Sequence, residues 1–191
     1  MGRGHGATRG GGPASGGGAL ASSLRSVESS IRGLDVEHSY IFDSNGKMLE
    51  HNIGDAGSVK PESQDIDYYA KHGITMTHNH PKDKSLSAAD VSFGVRTNAK
   101  EIRATSKEHT YSLKPGKNGW GISRGEIGAF QVHSDYLIHL NAYRKKTLSQ
   151  LSKAMKAGDR ATVDKIFLAE QHHAMKGLAK QYGWTYKVTK N

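Results

Sequence analysis

Two histidines, a serine and an aspartate lie within thirteen residues, in the stretch from His78 to Asp90. On a β-strand, residues two apart share one face, so His78 and His80 should point the same way. Pro81 cannot continue a central strand, which places both imidazoles near the strand's carboxyl end, where α/β proteins collect their sites. Two imidazoles and one carboxylate are common protein ligands of a catalytic zinc and leave a fourth position for water. The residue types and their spacing therefore predict a zinc (Zn2+) site formed by His78, His80 and Asp90.

Each half of this stretch also has a purely structural interpretation. Ser87 followed three residues later by Asp90 is typical of a helix start, with a serine N-cap and an acid that interacts favourably with the helix dipole. A separate His-x-His pair is typical of turns and surfaces as well as of metal sites. The two features occur next to each other and in this order, which favours the metal-site interpretation.

The order His78-Asn79-His80-Pro81, five further residues and Ser87-Ala88-Ala89-Asp90 resembles the JAMM motif of the JAB/MPN metalloprotease superfamily. That motif is His-x-His-Pro, a spacer that is usually slightly longer, and Ser-x-x-Asp. The form His-Asn-His-Pro is similar to the RadC-type branch and to JAB domains of phage proteins. The family also has a glutamate near its first core strand, and Glu37, just before Tyr40-Ile41-Phe42, resembles that residue. The resemblance covers about residues 34–115.

This resemblance implies a zinc-dependent hydrolase of peptide or isopeptide bonds, acting on a protein or peptide substrate such as a ubiquitin-like conjugate. In that scheme His78, His80 and Asp90 hold the zinc. Glu37 takes a proton from the attacking water and later delivers one to the leaving amine. Ser87 donates a hydrogen bond to the oxyanion that forms during the reaction. An ordinary exposed acid at a strand edge is the competing interpretation of Glu37.

Two other functions are compatible with the sequence. One is a non-catalytic JAB-like module that binds partners, for example in phage particle assembly. The other is nucleic-acid binding or processing through the basic C-terminal part. Residues 141–191 carry 11 Lys/Arg and 3 Asp/Glu, whereas residues 1–140 carry 16 and 15. A basic region of this kind can bind a polyanion, although a solvated helical face has the same composition.

The hydrophobic pattern predicts an α/β fold in four parts. Residues 1–18, nine of which are glycine, predict a disordered tail, and an apolar stripe from Leu20 to Leu34 predicts a helix over residues 19–33. Residues 34–130 predict the JAB-like domain, which begins with a β-hairpin over residues 36–54. Residues 131–191 predict a basic helical hairpin extension with a last strand at 184–188. The resemblance narrows the fold to a JAB/MPN-like (cytidine-deaminase-like) mixed β-sheet flanked by helices.

Composition restricts the remaining classes. The chain has no cysteine, which excludes disulfides and thiolate zinc sites, so any metal must be held by His, Asp or Glu. No run approaches about 18 apolar residues, so we expect no membrane-spanning helix and no membrane partner. The N-terminus lacks the apolar segment of a secretory signal, so we expect a cytoplasmic location, in the host cell if the protein is phage-encoded.

Overall fold

The computed structural model describes residues 16–58 and 66–191, which form five helices and six strands. The helices are α1 (Gly16–Ile31), α2 (Ile66–His72), α3 (Ala88–Arg96), α4 (Glu126–Lys156) and α5 (Arg160–Tyr182). The strands are β1 (His38–Phe42), β2 (Met48–Ile53), β3 (Thr75–Asn79), β4 (Glu101–Thr105), β5 (His109–Lys114) and β6 (Thr185–Lys190). The architecture is mixed α/β, as the sequence predicts.

The six strands form one mixed sheet in the order β2-β1-β3-β4-β5-β6. β3 and β4 are parallel and are joined by the crossover helix α3, whereas the other neighbouring strands pair antiparallel. β3 lies between β1 and β4, and all five of its residues are buried. Because a loop of eight residues joins β3 to α3, the N-terminus of this helix lies near the carboxyl end of a central strand.

Helices cover the sheet on both faces. Met76 on β3 and Ile102 on β4 belong to the core that α3, α4 and α5 complete with residues such as Val91 and Met175. On the opposite face, the Thr77 hydroxyl donates a hydrogen bond to Glu28 of α1 at 3.0 Å. The alternation along β3 therefore separates an apolar face, which also carries His78, from a polar face that contacts α1.

The predicted helical hairpin is present as α4 and α5, and its packing is continuous with that of the sheet. Val132 and Leu140 of α4 and Leu178 of α5 belong to the same core as the strands. Gly183, with φ of +70°, ends α5 in a left-handed conformation that favours glycine, and the chain then enters β6. β6 pairs antiparallel with β5 along all six of its residues. The C-terminal part thus completes both the core and one edge of the sheet.

The predicted boundaries differ from the observed elements at two places. Residues 1–15 of the predicted tail lie outside the described residues, and its last three residues, 16–18, begin α1. The predicted boundary after residue 130 falls inside α4, which begins at Glu126. The glycines before this helix hide its start, because glycine-rich sequence is typical of loops. Within the described ranges, no helix is both long and apolar enough to cross a membrane.

Candidate metal centre

The side chains of His78, His80 and Asp90 converge at the carboxyl end of β3. The Nε2 atoms of the two histidines are 2.9 Å apart. Asp90 Oδ1 lies 3.3 Å from His78 Nε2, and Asp90 Oδ2 lies 4.0 Å from His80 Nε2. In a tetrahedral zinc site with Zn–N bonds of about 2.0–2.1 Å, two ligand nitrogens are roughly 3.3 Å apart. The three side chains therefore need only small shifts to surround a zinc ion.

The local sequence explains why these side chains meet. His78 is the fourth residue of β3, and His80 continues the same alternation beyond the last strand residue. The backbone N–H of His80 donates to the Thr105 carbonyl at 2.8 Å, which extends the hydrogen bonding between β3 and β4 to His80. Asp90 lies in the first turn of α3, and the crossover connection brings that turn over the end of β3.

Both histidines present Nε2 to the centre. His80 Nδ1 is 2.9 Å from the Lys84 carbonyl, to which it donates, so the neutral form of His80 has its lone pair on Nε2. His78 is 1% exposed, and this burial lowers its pKa to about 4, which keeps it neutral at pH 7. Its Nδ1 makes no well-formed hydrogen bond within the described residues, although the backbone of Arg103 approaches the ring. Two nitrogen lone pairs this close repel each other unless a cation or a shared proton lies between them.

Asp90 is oriented by the N-cap of its own helix. The backbone N–H and the hydroxyl of Ser87 both donate to Asp90 Oδ2, at 2.7 Å and 2.8 Å. Asp90 Oδ1 is thereby left facing His78. Burial alone would raise the pKa of Asp90, but the two imidazoles and the Ser87 hydrogen bonds together lower it, so the carboxylate is charged. The helix-cap and metal-ligand interpretations are thus compatible, because the cap holds the carboxylate that faces the centre.

Glu37 is buried beside this group, at 8% exposure. It precedes β1, and its backbone N–H and carbonyl bond to Asp55 and Gly54 at 2.7 Å and 2.8 Å. Burial raises the pKa of the Glu37 carboxyl, while the charges of His80 and Asp90 lower and raise it, respectively. The carboxyl is therefore within electrostatic reach of two of the candidate ligands. Its burial does not fit an exposed acid at a strand edge.

Asp83 anchors the loop between β3 and α3, a contact that the sequence did not indicate. Its carboxylate accepts hydrogen bonds from the hydroxyls of Ser106 and Tyr111, the latter at 2.7 Å, and from His109 Nδ1 at 2.9 Å. Burial alone would raise the pKa of Asp83, but these donors outweigh it and lower the pKa. An acid two residues after Pro81 was visible in the sequence, whereas its partners on β5 were not.

A second anchor of the same loop comes from the C-terminal part of the chain. The hydroxyls of Ser85 and Tyr186 are 2.6 Å apart, and Gln171 Oε1 accepts the Ser85 backbone N–H at 3.1 Å. Tyr186 also lies 2.7 Å from His172 Nδ1. These bonds hold the residue next to Lys84, whose carbonyl orients His80. No local sequence signal could identify partners that are 86 and 101 residues away.

A cavity of about 780 Å³ borders the loop on its hairpin side. Its lining includes Lys82 and Lys84 from the loop, and Leu140 and Phe167 from α4 and α5. Lys84 also acts on the Glu37 carboxyl, whose pKa it lowers. Lys84 therefore lines the cavity and also contacts His80 of the candidate centre through its carbonyl.

The arrangement can bind a divalent cation and can move a proton. Two imidazoles and one carboxylate meet at one point, and the charges of His80 and Asp90 act on the buried Glu37 carboxyl, whose pKa is raised by burial. In the described part of the chain, this is the one group of three or more acidic, histidine or cysteine side chains with metal-binding geometry. Comparison of the chain with models of protein families, with curated proteins and with solved structures gave no match.

Proposed function

We propose that this protein is a zinc-dependent hydrolase of peptide or isopeptide bonds and a member of the JAB/MPN metalloprotease superfamily. The observation that carries the proposal is the convergence of His78, His80 and Asp90 beside the buried Glu37. The position of the group at the carboxyl end of a central strand, with α3 crossing to a parallel strand, supports a JAB/MPN-like, cytidine-deaminase-like fold. The order of the residues along the chain, from Glu37 through His-x-His-Pro to Ser-x-x-Asp, supports the same assignment.

In this proposal a bound zinc supplies a water with a pKa of roughly 7 and polarises the substrate carbonyl. Glu37 accepts a proton from the water as the water oxygen attacks the carbonyl carbon. It then passes the proton to the leaving nitrogen as the C–N bond breaks. The raised pKa of Glu37 suits a group that must both accept and return a proton.

Ser87 has two tasks in this scheme. Its hydroxyl donates a hydrogen bond to Asp90 Oδ2 at 2.8 Å in this structure. Rotation of the serine side chain redirects the hydroxyl towards the oxyanion, while the Ser87 backbone N–H continues to hold Asp90 at 2.7 Å. Because the backbone N–H keeps its hydrogen bond to Asp90, the serine hydroxyl can turn to the oxyanion without releasing the carboxylate.

Metal content provides the first test. We expect purified protein to contain one zinc per chain by elemental mass spectrometry, and the double variant His78→Ala/His80→Ala to contain none while it keeps its circular dichroism spectrum. His133→Ala is the matched control, because His133 is exposed on α4 and lies outside the group. A folded wild-type protein that cannot be loaded with zinc would contradict the proposal.

Peptide cleavage provides the second test. Zinc-loaded protein is incubated with a peptide library prepared from a cell lysate, and new termini are identified by mass spectrometry. We expect cleavage by the wild type and none by Glu37→Gln, which should retain its zinc because Glu37 is not a ligand. The cavity beside the loop offers room for a substrate side chain. Equal cleavage by Glu37→Gln and wild type would reject the role of Glu37.

One observation favours a second candidate, a non-catalytic module that binds a partner. Ile127 and Phe130 of α4 are 80% and 74% exposed, and Leu137 and Ile138 are also exposed on this helix. Large apolar side chains exposed along one helix are typical of interaction surfaces. Zinc binding without hydrolysis, together with a partner interaction lost in Phe130→Ser/Ile138→Ser, would favour this function. Point variants are required, because deleting residues 131–191 would remove β6 and part of the core.

A further inference from the structure

The side chain of Asn79 bridges the two residues that flank Glu37. Asn79 Oδ1 accepts a hydrogen bond from the His38 backbone N–H at 2.7 Å. Asn79 Nδ2 donates to the Val36 carbonyl at 2.9 Å and makes a longer contact of 3.4 Å to the Leu34 carbonyl. Asn79 is 1% exposed, so this amide is a buried group whose donor and acceptor are both used.

The position of Asn79 in the sheet explains these contacts. The antiparallel pairing between β1 and β3 has Ser39 opposite His78 as its last pair. A carboxamide carries the same donor and acceptor as a peptide group, so the Asn79 side chain continues the hydrogen bonding where the strand pairing ends. On the other side, Glu37 itself bonds through its backbone to Asp55 and Gly54. The backbone around Glu37 is therefore held from both neighbouring segments.

We propose that Asn79 is the positioning residue of Glu37. In His78-Asn79-His80, the two histidines are then the metal ligands. The asparagine between them positions Glu37, which transfers the proton. The alternation of a β-strand explains this division, because Asn79 faces away from the histidines and towards the segment that carries Glu37. Leucine would lack both hydrogen bonds, and aspartate would lack the donor. The inference rests on the function proposed above.

Cobalt(II) is a suitable probe of this role, because it replaces zinc and has a visible spectrum that reports on the ligand field. We expect Glu37→Gln to shift the pH at which the spectrum of the cobalt-loaded protein changes, and Asn79→Ala to shift it in the same direction. Cobalt stoichiometry should stay at one per chain in both variants. Thr77→Val is the matched control, since Thr77 is on the same strand and face but bonds to Glu28. A wild-type pH midpoint in Asn79→Ala, with a shifted midpoint in Glu37→Gln, would overturn the proposal.

Amide hydrogen exchange tests the same contact without metal. Removing the acceptor of the His38 N–H should make this amide exchange roughly fivefold faster in Asn79→Ala, as expected for the loss of one hydrogen bond. Asn79→Asp keeps the acceptor and should keep the protection of the His38 amide. This milder variant can still be measured if Asn79→Ala does not fold. An unchanged His38 exchange rate in Asn79→Ala rejects the role of Asn79. A failure of the wild type to bind cobalt rejects the proposed function alone.

Discussion

Two buried polar clusters lie on opposite faces of β3 and β4, and they differ in how completely their polar groups are paired. On the α1 face, Glu28 accepts two hydrogen bonds from Arg103, at 2.5 Å and 2.9 Å, and one from Thr77 at 3.0 Å. Arg103 also donates to Glu101 at 2.7 Å, and Glu101 in turn accepts from Ser112 at 2.6 Å. Burial alone would lower the pKa of Arg103, but the two carboxylates raise it.

The cluster on the other face leaves its groups incompletely paired. Two Nε2 atoms face each other at 2.9 Å, and His78 Nδ1 lacks a well-formed hydrogen bond within the described residues. The charged Asp90 carboxylate lies 3.3 Å from His78 Nε2. A cation or a shared proton between these atoms would relieve the close approach of the two nitrogens. The pairing of the Arg103 cluster indicates a structural role, whereas the close approach of two nitrogens in the histidine cluster supports the metal binding proposed for it.

The largest effect on stability is expected from breaking the Arg103 cluster. Arg103→Ala leaves the buried Glu28 and Glu101 carboxylates without their shared cation, which should destabilise the protein by about 3–5 kcal/mol. Urea unfolding followed by circular dichroism measures this loss.

Asp90→Asn is the matched substitution on the other face. In metal-free protein it should cost about 1 kcal/mol or less, since the amide oxygen can still accept from Ser87. If both variants lost the same stability, the two clusters would not differ in the way proposed.

Zinc should stabilise the protein through the histidine cluster alone. At about 100 times its dissociation constant, zinc should raise the free energy of unfolding by about 2.7 kcal/mol, because it binds the folded state only. Calorimetry with and without zinc measures this increment. Asp90→Asn should lose it and Thr77→Val should keep it, whereas an increment retained in Asp90→Asn would place the zinc elsewhere.

Ser87→Ala tests whether the N-cap of α3 also contributes to zinc binding by orienting Asp90. Loss of the N-cap should cost about 1 kcal/mol of stability. Loss of a hydrogen bond to a metal-binding carboxylate should also weaken zinc binding about 10- to 100-fold. Competition with a chromophoric chelator measures this affinity.

Asp159→Ala is the control for a cap without a ligand. Asp159 accepts from Thr162 at the start of α5 and lies outside the histidine cluster. Its removal should leave zinc affinity unchanged. Zinc affinity that is equal in Ser87→Ala and wild type would show that Asp90 does not need its cap to bind.

The smallest expected effect is a pH dependence of stability that arises from Glu101 in the Arg103 cluster. Burial alone would raise the pKa of Glu101, but Ser112, Arg103 and Lys114 together lower it below the ordinary value of 4.5. The unfolded state therefore binds more protons than the folded state below about pH 4.5. The contribution of Glu101 to stability should be complete above that pH and should disappear as the pH falls through the folded pKa.

Glu101→Gln tests this contribution. The variant should be less stable than the wild type at pH 7, and its stability should depend less on pH between 5 and 3. Urea unfolding at several pH values gives both slopes. If the stability of Glu101→Gln and of the wild type depended on pH equally, other carboxyl groups would account for the loss of stability in acid.

Much of the fold could be predicted from the sequence because its signals are local. The apolar stripe that contains Leu24 and Ile31 predicted the first helix, and both side chains are buried. Asn45-Gly46 favours a type I′ turn in the hairpin over residues 36–54, with positive φ at both residues. The chain does turn there, but Gly46 has a positive φ and Asn45 does not, so the turn is not of type I′. The start of α4 was predicted five residues late, because glycines precede it and give a loop-like pattern.

The candidate site was predicted in part. Strand alternation placed His78 and His80 on one face, and the spacing to Asp90 placed the carboxylate in the first turn of the next helix. The burial of Glu37 beside them depends on the pairing of β1 with β3, which no local pattern specifies. Asp83 and Tyr186 were missed for the same reason, since their partners are distant in sequence.

The sequence by itself determined the composition of the site: two imidazoles, two carboxylates and one hydroxyl, with periodicities that orient each side chain relative to its own element. Only the tertiary structure decided that Glu37 is buried where the charge of Asp90 acts on it and that Arg103 is neutralised on the opposite face. Periodicity is a property of neighbouring residues, whereas charge pairing and desolvation depend on elements that meet only when the sheet assembles. The difference between a satisfied and an unsatisfied buried cluster therefore arises at the level of the sheet.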